Sequence, residues 1–161
     1  MILQQLAGMF EQGPFPGLNV YEDELARRWL REWYPLFDEV RFQVHVGGGV
    51  DPGAEYDASM RRMYQYNSQK RMDMVASAAG YVWLVEIKQR IELAALGQLL
   101  GYRYLWLLEH TDHFQHVELC ALGYEIGEDV AAVLRAHGVR LALYQAAAAV
   151  DDAGRPAYTG I

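Results

Sequence analysis

Apolar positions recur along this chain with two periods, and the change from one to the other lays out its elements. Leu3, Leu6 and Phe10 fall at helical spacing and predict a short docking helix over residues 2–10, ended by the breaker GPFPG at 13–17. Asn19 with Glu22 three residues on forms a capping-box pattern. Leu25, Trp29, Leu30, Trp33 and Leu36 follow at 3.6-residue spacing, predicting the first substantial helix, which ends near Pro35. Val40, Phe42, Val44 and Val46 then alternate with Arg41, Gln43 and His45, the mark of a half-buried strand, and Gly47–Gly49 and the DPG at 51–53 end it. Residues 54–69 are polar and irregular, with room for one helical turn, and read as an inserted functional loop. Two strands are predicted at 71–77 and 81–88, joined by a tight connection around Ala78–Gly80. Leu93, Leu96, Leu99, Leu100, Tyr104 and Leu107 mark a long helix between Glu92 and Glu109. A buried strand at Val117–Gly123, a helix at Glu128–His137 stopped by Gly138, and a last strand at Arg140–Tyr144 complete the pattern. The tail at 146–161 is rich in small residues and carries no periodic signal.

The order is helix, three strands, helix, strand, helix, strand. Consecutive strands followed by alternating helices and strands predict an α/β fold with a central mixed sheet, antiparallel at its start and flanked by helices on both faces. No internal repeat or linker divides the chain, so residues 1–161 are expected to form one domain with its core at about 19–145.

Composition narrows the class. At 161 residues, 52% hydrophobic and 22% charged, the chain can bury a core without staples. Its longest apolar runs fall far short of the roughly 20 residues that span a bilayer, so no membrane partner is expected. The start MILQQLAGMFEQG does not read as a secretory leader. Cys120 has no partner for an internal disulfide, and a reducing, cytoplasmic location is the simplest expectation. The net charge of −7 counts against coating nucleic acid through an overall field. Locally the sign reverses: Arg61, Arg62, Lys70 and Arg71 occur between Ser59 and Met72 with no acid among them, and Tyr64 and Tyr66 are interleaved. This run is either a phosphate-binding patch or a solvated surface of one sign.

The chemistry centres on three residues. Side chains alternate along a strand, so Glu86 and Lys88 point to one side, at the end of an otherwise apolar run, Tyr81–Val85. Asp73 lies in the neighbouring strand among Met72, Met74 and Val75. A hairpin centred near residue 80 sets position 73 opposite roughly 87, so the two acids can meet. Paired carboxylates suit a hard divalent cation such as Mg²⁺, and a lysine beside them can stabilise a phosphorane or orient water. The alternative is a buried ion pair with a structural role alone.

Asp73 followed thirteen positions on by Glu86-Ile87-Lys88, set between an acid-rich helix and a long following helix, resembles the PD-(D/E)XK nuclease superfamily. The superfamily's restriction-endonuclease-like core has the element order read above; Met72 stands where the proline of the motif would be. The resemblance implies a metal-dependent DNA nuclease using Mg²⁺ or Mn²⁺, with Asp73, Glu86, the Ile87 carbonyl and Glu22 as metal ligands and Lys88 as electrostatic helper. It also implies DNA as partner and allows a homodimer in which each subunit cuts one strand. Glu22-Asp23-Glu24-Leu25 is similar to the first-helix segment of archaeal Holliday junction resolvases, which implies Glu22 as the additional acid and Glu24 as second choice; capping alone is the other reading of Glu22. Those resolvases lack a counterpart to the 47–70 loop. Gln98 and Tyr102, one turn apart on the long helix, resemble the Gln-x-x-x-Tyr motif of RecB-like nucleases, which implies a supporting role for Gln98 and a DNA contact for Tyr102.

The remaining candidates are weaker. His110, His113 and His116 would align as zinc ligands only on a continuous helix, which Thr111-Asp112 interrupts. Gly47–Gly49 lacks the lysine and hydroxyl of a phosphate-binding loop. Cys120 and the four tryptophans, Trp29, Trp33, Trp83 and Trp106, fall on core-facing stripes. Two further functions stay open: a non-catalytic nucleic-acid- or protein-binding module of the same fold within a phage, repair or restriction assembly, and a nuclease acting on RNA, since nothing in the chain separates the sugars.

Overall fold

The computed structural model describes residues 13–111 and 116–146, together with Gly8 and Phe10; the helix expected at 2–10 and the tail beyond 146 lie outside this span. The elements are α1 (Val20–Trp33) with a 3-10 turn (Tyr34–Leu36), β1 (Glu39–Val46), α2 (Ala58–Ser68), β2 (Lys70–Ala78), β3 (Tyr81–Ile87), β4 (Arg90–Ile91), α3 (Leu93–Glu109), β5 (His116–Gly123), β6 (Glu125–Ile126), α4 (Glu128–Ala136) and β7 (Val139–Leu143). Five strands form the central mixed sheet in the order β1-β2-β3-β5-β7, antiparallel from β1 to β3 and parallel from β3 to β7. The α/β architecture predicted from periodicity is the one observed. β4 and β6 form a two-stranded parallel sheet too short to leave a periodic signal. No helix among the described residues is long and apolar enough to cross a membrane.

Each face of the sheet carries its own core. Leu25, Ala26, Trp29 and Leu30 of α1 pack on Met74, Ala76, Val85, Ile87 and Leu122. On the other face Ala95, Leu99, Tyr102 and Trp106 of α3 pack on Met72, Val75, Val82, Leu84 and Ala121. The buried stripe of α3 is therefore Ala95, Leu99, Tyr102 and Trp106, and the predicted Leu93, Tyr104 and Leu107 face solvent. On an apolar helix the leucine pattern alone left the stripe's angle undetermined. Trp33, expected inside, is 45% exposed because α1 ends there and the chain turns away.

The segment read as a loop at 54–69 contains an eleven-residue helix, α2. Asp57 caps it, its carboxylate accepting the Ser59 and Met60 amides at 2.8 and 3.0 Å.

β1 and β2 do not keep one face throughout. Met72 and Met74 are two residues apart yet pack in opposite cores, and so do Val44 and Phe42 across from them. Regular strands hold such positions on one face. Between them lie Gln43, whose φ is 52°, and Asp73. The half-buried single face predicted for β1 is thus split in two, and the twist falls at the candidate site.

Candidate active site

β2 and β3 form a hairpin through a turn at Ala79 and Gly80, where φ is 77°. The ladder runs from Ala78↔Tyr81 to Met74↔Val85. Its continuation sets Asp73 opposite Glu86, one residue from the expected position 87. There the ladder opens: the Ile87 amide donates to Asp73 Oδ2 at 2.8 Å. The twist at residues 72–74 thus replaces a backbone partner with a carboxylate, which brings Asp73 to the end of β3.

Glu86 and Lys88 project to the same side, as strand alternation requires. Lys88 Nζ stands 2.5 Å from Glu86 Oε1 and 3.9 Å from Asp73 Oδ2. Glu86 is 1% exposed and is the only charged residue fully buried among the described residues. Its second oxygen, Oε2, has no hydrogen-bond partner. Burial, and then the neighbouring charge of Asp73, push its carboxyl up to about 7, against the pull of Lys88 and of the Tyr102 hydroxyl beside it. Burial also raises Asp73, offset in part by the Ile87 amide and Lys88. For Lys88, burial alone would lower the pKa; the bond to Glu86, with Asp73 and Glu22 behind it, outweighs that and holds the ammonium charged.

Glu22 makes the capping contacts expected of it. Its Oε2 accepts the Asn19 amide at 3.0 Å while Asn19 Oδ1 accepts the Glu22 amide at 3.0 Å, completing the capping box. Its charge also bears on Asp73 and Lys88. Glu24 is bonded elsewhere, to Arg28 at 2.5 Å and to the Tyr124 hydroxyl at 2.8 Å.

Gln98 and Tyr102 point together to the site end of the sheet. Gln98 Nε2 donates to the Tyr102 hydroxyl at 3.3 Å, and that hydroxyl donates to the Arg71 carbonyl at 3.1 Å. Tyr102 is 5% exposed, so the expected DNA contact is replaced by a support that ties α3 to β2 beside Glu86. Arg61, expected on DNA, is held by Asp51 in a two-point ion pair. Lys70 and Arg71 are exposed on β2 close to Asp73, and Arg62 is exposed on α2.

The zinc alternative loses its geometry. His110 stacks on Trp106 and bonds its carbonyl, His116 bonds Glu118, and His113 lies outside the described residues. Cys120 is buried and its thiol is pushed up to about 12, as suits a packing residue.

The donor set fits a hard divalent cation. Among the described residues no three His, Cys, Asp or Glu side chains are grouped tightly enough to hold a metal by themselves. Mg²⁺ commonly takes only one or two carboxylates and keeps waters and phosphate oxygens for the rest. Asp73 and Glu86 are such a pair, and a cation would partner the orphaned Oε2.

No protein family and no curated protein matches the chain by sequence. Among solved structures it is similar in fold to a repair endonuclease from Pyrococcus abyssi, with a TM-score of 0.51 at 14% identity over 81% of this chain and 50% of that one. The EndoMS–dsDNA2 complex is a further match, with a TM-score of 0.45 at 13% identity over 83% of this chain and 48% of that one. The chain spans about half the length of these proteins, and the likeness is one of fold.

Proposed function

We propose that this chain is a metal-dependent nuclease that hydrolyses phosphodiester bonds in DNA. The observation that carries the proposal is Glu86: a fully buried carboxylate with one oxygen lacking a hydrogen bond, beside a second acid and a lysine at the end of β3. An acid kept in that state is expensive unless a cation is part of its working environment.

Asp73, Glu86 and the Ile87 carbonyl would hold Mg²⁺ or Mn²⁺, with Glu22 acting at longer range. When bound, the ion supplies Lewis-acid polarisation of the phosphate and lowers the pKa of water. The chain's own residues do the rest. Lys88, charged and within reach of both acids, binds a phosphate oxygen or orients the attacking water once Glu86 turns to other partners. Tyr102 and Gln98 fix the backbone at Arg71 and so the approach of β2. Arg62, Lys70 and Arg71 hold strand phosphates beside the site.

The test is incubation with linear, circular, single-stranded and branched DNA plus Mg²⁺, alongside Glu86→Ala and Lys88→Ala. Cutting by the wild type alone is expected; activity that survives both substitutions sinks the assignment. A second reading, a non-catalytic binding module, draws on the 2.5 Å Lys88–Glu86 pair, which closes the site on itself. It requires that no DNA is cut and that Mg²⁺ leaves Tm unchanged.

A further inference from the structure

Helix α2 buries none of its eleven residues. Helices in folded proteins normally gain stability by burying one face. This one is anchored along its inner edge: Arg61 to Asp51, Ser68 Oγ accepting the Val50 amide at 2.7 Å, and Gly49 passing so close that a Cβ there would lie 2.0 Å from the Gln65 carbonyl. Met60, Met63, Tyr64 and Tyr66 are left exposed.

Tyr66 differs from the others in being built into a stack. Its ring lies on the imidazole of His45 in β1, with centroids 4.0 Å apart and planes 12° from parallel, and His45 Nδ1 is 3.1 Å from the Tyr66 carbonyl. One ring face is fixed and the other open, for Tyr66 is 57% exposed. Arg62 lies one turn earlier on the same helix face. His45 pairs across the ladder with Arg71, whose charge bears on Asp73. The surface therefore runs from cation to ring stack to cation to the acids of the site.

We propose that the Tyr66–His45 stack is a platform for an unpaired base of the substrate strand, with Arg62 and Arg71 on the flanking phosphates, so that single-stranded or frayed DNA is what the site receives. The proposal rests on the reading of the site as a nuclease. A base has a free ring face to add to a two-ring stack only when it is unpaired or unstacked; in closed duplex both faces are already covered. A chain of net charge −7 gains little attraction from its overall field, which leaves more of the affinity to local contacts such as stacking.

Fluorescence anisotropy in EDTA, where no cutting occurs, tests this with a labelled single strand of about 20 nucleotides and the matching duplex. Tyr66→Ala is expected to weaken single-strand binding about tenfold and duplex binding by under about twofold. Tyr66→Phe is expected to bind as wild type. The side chain is exposed, so Tm should stay within about 2 °C. Unchanged single-strand binding, or equal loss on both substrates, overturns the platform. Cleavage with Mg²⁺ separates the two readings. A chain that binds single strands through Tyr66 and cuts nothing refutes the nuclease and leaves the platform. A chain that cuts DNA while Tyr66→Ala binds and cuts as wild type refutes the platform alone.

Discussion

Two glutamates on adjacent parallel strands have opposite surroundings. Glu118 on β5 pairs in register with Trp83, and Glu86 lies three residues further along β3. Both oxygens of Glu118 are partnered, by Arg140 at 3.0 and 3.4 Å and by His116 at 2.9 Å, and its carboxyl is held below the ordinary value, chiefly by the bond to Arg140. Glu86 is more deeply buried, has one oxygen partnered, faces a second acid and is raised to about 7. Glu118 is what a structural ion pair looks like in this protein. The same explanation leaves Glu86 Oε2 without a hydrogen bond, since the nearby Tyr102 hydroxyl donates to the Arg71 carbonyl instead.

The largest expected separation is in activity. Glu86→Ala and Lys88→Ala should each reduce DNA cleavage by roughly a hundredfold or more, while Glu118→Ala leaves the rate unchanged in the same assay. Loss of rate in Glu118→Ala comparable to that in Glu86→Ala, with folding intact, would erase the distinction.

Stability against pH in EDTA comes next. The folded chain holds the Glu86 proton more tightly than the unfolded chain does, so stability should fall as pH rises from about 4.5 to about 7, with the full cost present above that. Glu86→Gln should abolish this fall and be more stable than wild type at pH 8, by on the order of 2–3 kcal/mol. Glu118 has the opposite sign: its lowered carboxyl contributes stability present above its ordinary value of 4.5 and lost as pH falls through its folded value. Thermal melts of both variants across this range read the two slopes directly.

A divalent ion should reverse the cost at Glu86. Mg²⁺ at ten times its Kd should stabilise the wild type by about 1.4 kcal/mol at pH 8 and leave Glu86→Gln unmoved. An equal rise in Tm for both would place the ion elsewhere. The smallest effect belongs to Arg140→Ala: its side chain is 66% exposed, so the pair with Glu118 is worth about 0.3 kcal/mol after screening. That difference should vanish in 0.5 M salt, roughly three times the physiological ionic strength.

The fold and the pair at the end of β3 were legible because they are encoded by near neighbours in sequence. Period-2 and period-3.6 patterns gave the mixed sheet with helices on both faces, and alternation alone put Glu86 and Lys88 on one side. Asn19 and Glu22 likewise announced their capping box. Helix α2 was missed because it buries no face and its apolar period is only Met60, Met63 and Tyr64; the cap at Asp57 was its other local sign.

What only the tertiary structure decided depends on register and on contacts between distant segments. The twist at Gln43 and Asp73, which turns both strands over and gives Asp73 the Ile87 amide, follows from how β1, β2 and β3 pair, and no residue pattern within one strand specifies it. Tyr102 turns inward because its hydroxyl meets the Arg71 carbonyl 31 residues away in sequence, and Arg61 is engaged by Asp51 in the preceding loop. His45 and Tyr66, 21 residues apart, became a stack only when α2 folded back on β1. Sequence by itself determined which acids and which lysine stand at the end of a buried strand. Burial decided their state, because only the packed sheet takes Glu86 out of water and leaves its second oxygen without a partner.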